Sequence, residues 1–457
     1  MDEQSTGSDA AKAVESPRGP PCQAFMGGEM STRAKCHRFP VHVLIVFLTR
    51  GVCHGMSRVE QSANTGDSML DRMEAQTDRD AIVAMDMAGL PDDAPSQRFP
   101  LPRAAGRGAV SNPKVRFDSQ AASPFDDGWD TLTHDVGDLP RLDTTLTRDA
   151  TRSAISWNTS PDLGFDRAVN PYRGCEHGCV YCYARPTHAY LGYSPGLDFE
   201  TKLIFKPDVA ELLEKELRKP GYTAKTLALG SNTDPYQPVE RTLKLTRSIL
   251  EVLDRYNHPV GIVTKSSGVL RDLDILSSMA KRNLARVHIS ITTLDAKLAR
   301  VMEPRAATPV RRLHAIAELT RAGVPTGVLA APMIPGLNDV EMEKILEAAA
   351  RAGARHAGYI LLRLPLELRQ MFEAWLNTNF PNRAKHVLSL IRQTRGGELN
   401  DSRFHQRFSG QGVYADLLTR RFTRAARKCG FGEARTQLDC DRFAVPAGVA
   451  APAPAQM

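Results

Sequence analysis

The chain has 457 residues, of which 42% are hydrophobic, 24% charged and 6% aromatic, with a formal net charge of +7 and a pI near 9.0. That hydrophobic content supports a sizeable core and excludes a wholly disordered chain. The length fits two or three domains or one large α/β barrel, and the mild basic bias permits a polyanionic partner without requiring one. The eight cysteines are scattered outside a single trio, which excludes a disulfide framework.

Residues 1–105 are rich in Ser, Gly, Pro, Asp and Met without sustained periodicity and read as a disordered extension. One apolar run, Val41–Leu48, has eight residues, too few to span a bilayer. With the basic stretch that follows Met30 it mimics a secretory signal. The preferred reading is a start codon set too far upstream, with translation beginning near Met69, Met73, Met85 or Met87. Residues 106–165 read as a wrapping segment. It opens on the extended basic GRGAVSNPKVRFD, either a flexible linker or a lead into the core, and continues as a polar stretch over the core's outside.

A core follows over residues 166–365. The first predicted strand, Arg167–Asn170, delivers the chain to NPYRGCEHGCVYCYA, residues 170–184, where Cys175, Cys179 and Cys182 stand in a Cys-x3-Cys-x2-Cys spacing. Soft sulfur ligands so close on one loop suit zinc or an iron–sulfur cluster. A closed structural zinc site needs four protein ligands, whereas a four-iron cluster on three cysteines keeps one iron open for chemistry. Gly174 and Gly178 let backbone approach a bulky inorganic group, and Tyr172, Tyr181 and Tyr183 interleave the thiols.

Strand and helix patterns then alternate. Helices are predicted over Asp208–Arg218, Leu243–Tyr256, Leu270–Lys281, Val310–Ala322 and Val340–Ala350. Strands are predicted over Thr226–Leu229, Val260–Thr264, Val287–Ile291, Thr326–Ala330 and Tyr359–Leu362. With the first strand this makes six, joined by crossovers that give a parallel sheet, either an open doubly wound one or a barrel short of eight strands. Residues 366–443 read as a helical basic region, with helices over Leu366–Asn377, Asn382–Arg392 and Tyr414–Lys428, and residues 444–457 as a disordered tail.

In parallel barrels the strands' carboxyl ends carry the active site. After the second strand, GSNTDPYQPVE offers Ser231, Asn232, Thr233 and Asp234, either a polar turn or groups that hold a nucleotide-like ligand. Thr264-Lys265-Ser266-Ser267 follows the third strand, and Lys265 suits a carboxylate or a solvated loop. After the fourth come Ser290, Thr292 and Thr293, then Arg305, whose guanidinium can grip a carboxylate with two prongs. APMIPGLND after the fifth makes a rigid apolar turn, and Arg363 and Pro365 after the sixth close the substrate side.

The three-cysteine spacing, with aromatic Tyr181 just before Cys182, resembles the cluster loop of radical S-adenosylmethionine (SAM) enzymes. That resemblance implies a partial (β/α)6 TIM-type barrel with a [4Fe-4S] cluster on Cys175, Cys179 and Cys182. It implies SAM as second cofactor, contacted by Tyr181, Ser231, Asn232, Asp234, Thr264, Ser290 and Arg305. SAM cleavage to a 5′-deoxyadenosyl radical, an electron donor of flavodoxin or reductase type and a cytoplasmic, membrane-free setting are implied with it. The Gly-Gly-Glu triplet that binds the SAM amino group in many such enzymes is absent, and GSNTDPYQPVE stands in its place. The run from Asn170 through NTDPYQPVE is similar to uncharacterised proteins grouped with spore photoproduct lyase and labelled DNA repair photolyase-like.

Eleven basic residues between Arg383 and Lys428 add nucleic acid as a candidate partner. The strand ends offer no further cysteine to match that lyase's hydrogen donor, and Cys429 and Cys440 lie far along the chain, so no catalytic residue is assigned. The alternative functions are a non-catalytic metal-binding, nucleic-acid-binding module and an electron carrier.

Overall fold

The computed structural model describes residues 106–117, 142–432 and 437–447. The expectations for residues 1–105, including Val41–Leu48 and the later starts, for 118–141 and for the tail past 447 lie outside the described residues.

Among the described residues ten strands form two sheets: β1 (Thr145–Arg148), β2 (Ile155–Trp157), β3 (Arg167–Val169), β4 (Tyr172–Arg173), β5 (Lys202–Phe205), β6 (Leu227–Leu229), β7 (Val260–Thr264), β8 (Ala285–Ser290), β9 (Thr326–Met333) and β10 (His356–Leu361). The larger sheet runs β10-β9-β8-β7-β6-β3-β2, and β1-β5-β4 form the smaller. From β3 to β10 every pairing in the larger sheet is parallel, and only β2 joins antiparallel, with Ile155 opposite Val169. The six parallel strands stand in chain order without reversal. A doubly wound sheet would reverse at a switch point, so the chain winds one way as a partial barrel.

The helices between these strands bury one face each. In Leu245–Arg255 the buried side includes Ile249, Leu250 and Leu253, spaced as a helical stripe requires. The helix predicted over Leu243–Tyr256 is split, because Lys244 takes a left-handed turn at φ +52° between Glu240–Leu243 and Leu245–Arg255. Glu240 Oε1 accepts the Thr246 amide at 3.0 Å and so caps the second piece. A helix over Ala296–Met302 went unpredicted, although Asp295 is its N-cap and accepts from Lys297 N and Leu298 N. No helix among the described residues is long and apolar enough to cross a membrane.

His258, just before β7, is fully buried. Its Nε2 lies 2.8 Å from the Tyr222 hydroxyl and its ring meets Phe443 edge-on. Burial lowers its pKa from 6.5 to about 4. An unfolded chain takes up this proton near pH 6.5, the folded protein only near pH 4. The associated stability is therefore complete above pH 6.5 and lost as pH falls to 4, by roughly 3 kcal/mol. Urea unfolding at pH 7 and pH 4.5 is expected to show this fall in wild type and a shallower one in His258→Gln. Equal slopes in the two proteins would contradict the assignment.

Candidate metal centre

The cysteine loop is an excursion between two paired strands. β4 ends at Arg173 and pairs antiparallel with β5, so residues 174–201 leave the small sheet and return to it. Backbone bonds fix the excursion: Cys175 N to Phe199 O at 2.9 Å, Val180 N to Met302 O at 3.0 Å and Cys182 N to Cys179 O at 3.2 Å. Glu176, between the first two cysteines, is bonded throughout. It accepts from Val239 N at 2.7 Å, Thr144 Oγ1 at 2.6 Å and Arg305 Nη2 at 3.0 Å.

Residues 106–110 strap this loop rather than linking flexibly to it. The Gly108 and Ala109 amides donate to the Glu200 carboxylate at 2.9 and 2.8 Å, and Arg107 Nη1 donates to the Glu200 carbonyl at 2.8 Å. Glycine is required at 108, since a Cβ there would sit 1.8 Å from the Gly178 carbonyl oxygen. The same carboxylate pairs with Arg185, whose Nε holds the Cys179 carbonyl at 2.8 Å, and neither side chain reaches solvent.

The three thiols border one cavity of about 490 Å³ at the carboxyl ends of the parallel strands. Cys175 and Cys179 are buried and Cys182 half-buried. Burial pushes the Cys179 thiol up to about 12, with the Glu303 charge adding to it, and burial also raises Cys175 well above its ordinary value. Thiols in this setting ionise when a cationic inorganic group binds them. Among the described residues, no three or more His, Cys, Asp or Glu side chains gather round a single ion position. Three soft thiol donors of one loop, with open space of the cavity beside them, suit a bulky inorganic group such as an iron–sulfur cluster.

The sequence-predicted residues divide into two sets. Tyr181, Ser231, Asn232, Asp234, Thr264 and Ser290 all line the cavity with the cysteines. Tyr181 is buried and donates its hydroxyl to Glu303, with Thr292 Oγ1 at 3.2 Å. Asp234 and Thr264 are bonded to each other at 2.7 Å, and Asp234 also accepts the Lys265 amide at 2.7 Å and faces His177 Nδ1 at 3.4 Å. Burial opposes ionisation of Asp234, but His177, Thr264 and the Lys265 amide outweigh it and hold the pKa down to about 2. The carboxylate thus ties the β6 and β7 ends to the cysteine loop. Ser231 accepts from Asn170 Nδ2 at 3.3 Å, and the Asn232 amide donates to Asn170 Oδ1 at 3.1 Å.

Arg305 stands apart. It does not line the cavity; its guanidinium is drawn to Glu176 in a separate recess with Arg107, Asp143 and Thr144.

Several wall residues went unread in the sequence. Ser156, Trp157, Leu163 and Phe165, from the stretch expected on the outside, line the cavity because β2 and the turn that joins it to β3 extend the barrel edge. Asn170, Arg286, His288, Arg407 and Phe408 line it too. Arg286 and His288 alternate along β8, a period-2 signal that could have marked them. Of the eleven basic C-terminal residues, five are engaged within the fold. Arg395 bonds only backbone carbonyls, while Arg403, Arg407, Arg421 and Lys428 pair with Asp401, Asp162, Glu343 and Glu347.

A family model described as the radical SAM superfamily matches residues 169–349. An uncharacterised protein of Mycobacterium tuberculosis (strain H37Rv) is 37% identical over 233 residues, covering 50% of this chain and 68% of its own length. A radical SAM Nalpha-GlyT isomerase of Pseudomonas phage M6 is 26% identical over 242 residues, covering 51% of this chain and 48% of its own. Among solved structures, spore photoproduct lyase superposes with a TM-score of 0.46 at 18% identity, over 63% of this chain and 80% of that one.

Proposed function

The chain belongs to the radical SAM superfamily, and we propose that it is an enzyme holding a [4Fe-4S] cluster on Cys175, Cys179 and Cys182 and SAM in the adjoining cavity. The observation that carries this is three thiols of one strapped loop bordering a single cavity at the carboxyl ends of the strands. Bound there, the cluster and SAM would supply radical chemistry, started by one electron from an external donor, that takes a hydrogen atom from the substrate. This chain's residues bind, orient and exclude water around that chemistry. Tyr181, fixed by Glu303 and Thr292, sets the loop between Cys179 and Cys182. Asn232 and Ser290 offer side chains to the polar groups of SAM, and the bonded Asp234–Thr264 pair forms the wall beside them. Lys265, which makes no ion pair among the described residues, supplies the cation for a carboxylate in place of Arg305. Val263, Leu329, Ala331 and Leu362 keep the remaining wall apolar.

On this reading the protein partner is a flavodoxin- or reductase-type electron donor, the setting is cytoplasmic, and nucleic acid is the first substrate class to test.

The test is anaerobic reconstitution with iron and sulfide, followed by reduction in the presence of SAM. Brown protein absorbing near ~400 nm and release of 5′-deoxyadenosine are expected. Bound zinc with no SAM cleavage would instead support the metal-binding module.

A further inference from the structure

Arg363 and Arg407 line the wall of the cavity that β10 and the 406–408 segment build, Arg395 lies buried against the same segment, and two of these three guanidiniums are accounted for. Arg407 grips Asp162 with Nη2 at 2.5 Å and Nε at 2.8 Å, and lies 4.8 Å over the Phe408 ring. Arg395 is buried and spends its donors on backbone carbonyls, among them Leu361 at 2.7 Å and Arg407 at 3.1 Å. It thereby pins the end of β10 to the segment that carries Arg407. The third, Arg363, lies 5.0 Å over the Tyr183 ring and 5.7 Å over Phe408 and lines the cavity, yet makes no ion pair or hydrogen bond among the described residues. Asp162 pairs with Arg407 and the Asp401 charge reaches Arg395, but no carboxylate forms an ion pair with the half-buried Arg363 among the described residues. Burial lowers the Arg363 pKa, and burial together with the Arg363 charge lowers that of Arg395 to about 10. A guanidinium framed by aromatic faces and lacking a counter-ion is built to receive an oxyanion.

We propose that Arg363 is the specificity-determining anchor for an oxyanion of the substrate, a phosphate ester or a carboxylate, and that Arg395 and the Asp162–Arg407 pair position it. Assigning the anion to substrate, rather than cofactor, rests on the radical SAM reading, in which SAM takes the cysteine side of the cavity.

The experiment uses the anaerobically reconstituted full chain with saturating SAM. Phenyl phosphate, benzoate and neutral phenol are titrated by ligand-observed NMR. One or both anions are expected to bind at least ~5-fold more tightly than phenol, and the stronger of the two identifies the oxyanion. Arg363→Gln is expected to bring the anions down to the level of phenol, and Arg363→Lys to restore part of the preference with SAM binding unchanged. Equal anion binding by wild type and Arg363→Gln overturns the proposal. So does displacement of the anion by SAM, or a wild type that prefers neither anion. Absence of the cluster absorbance and of SAM binding counts against the enzymatic reading alone, because the comparison of wild type with Arg363→Gln can also be read on metal-free protein.

Discussion

Glu200→Ala is expected to destabilise the protein by about 3–5 kcal/mol, the cost of leaving one member of a buried ion pair unpartnered. Arg185 has no solvent exposure and its Nη2 pairs with the Glu200 carboxylate, so the truncation strands a buried guanidinium. It also orphans the Gly108 and Ala109 amides, which have no solvent to turn to. The loss travels to the metal centre by a short route, since Arg185 Nε holds the carbonyl of Cys179. Denaturant unfolding should show the drop. Limited proteolysis should cut the strap at residues 106–110, and reconstituted protein should hold less iron. Replacing both partners by methionine should cost less than Glu200→Ala alone, because no buried charge is then left unpaired. A Glu200→Ala protein within ~1 kcal/mol of wild type would show that water or backbone movement satisfies Arg185.

The strap also marks where sequence reading stops. GRGAVSNPK has the composition of a linker, and its partner Glu200 lies 92 residues further on, in a helix too short to show a period. The parallel strands were legible because each is a compact apolar run bounded by a helical stripe, and a repeated unit reinforces the assignment. β1, β4 and β5 were not, since they have two to four residues each and pair only where the cysteine loop closes. The same limit governs the site. Cys175, Cys179 and Cys182 announce themselves by spacing, and the residues after β6, β7 and β8 by position. Arg305 occupies a suitable position in the chain, but a carboxylate within the loop, Glu176, claims its charge from 129 residues away. In the wall made by Trp157, Arg363 and Phe408, Arg363 is marked by its place after the sixth strand, whereas Trp157 and Phe408 come from remote segments and have no local signature.

The second large effect is expected at Glu303. The pair Arg312–Glu303 has 2.5 Å between Nη2 and Oε1, with neither side chain exposed. Burial disfavours the Arg312 charge, but Glu303 outweighs it and raises the pKa. Arg312 also bonds the Ala307 carbonyl at 2.7 Å and the Ser290 carbonyl at 3.1 Å, so one guanidinium ties the end of β8 to the turn that follows Met302. Glu303 passes the constraint on, because Tyr181 donates to it and Thr292 Oγ1 lies 3.3 Å from the same oxygen. Glu303→Ala removes the counter-ion and the acceptor together, and a loss of about 3–5 kcal/mol is expected. Tyr181→Phe removes only a hydroxyl and keeps the ion pair, so about 1 kcal/mol is expected there. Unfolding free energies of the two variants separate a charge effect from a hydrogen-bond effect. Iron content per chain then reads what the tyrosine does for the loop. If Glu303 acts on the metal centre through Tyr181, both variants bind less iron, and Tyr181→Phe does so while remaining nearly as stable as wild type. If Tyr181→Phe keeps full iron content, the Glu303 network serves the barrel and not the cysteines.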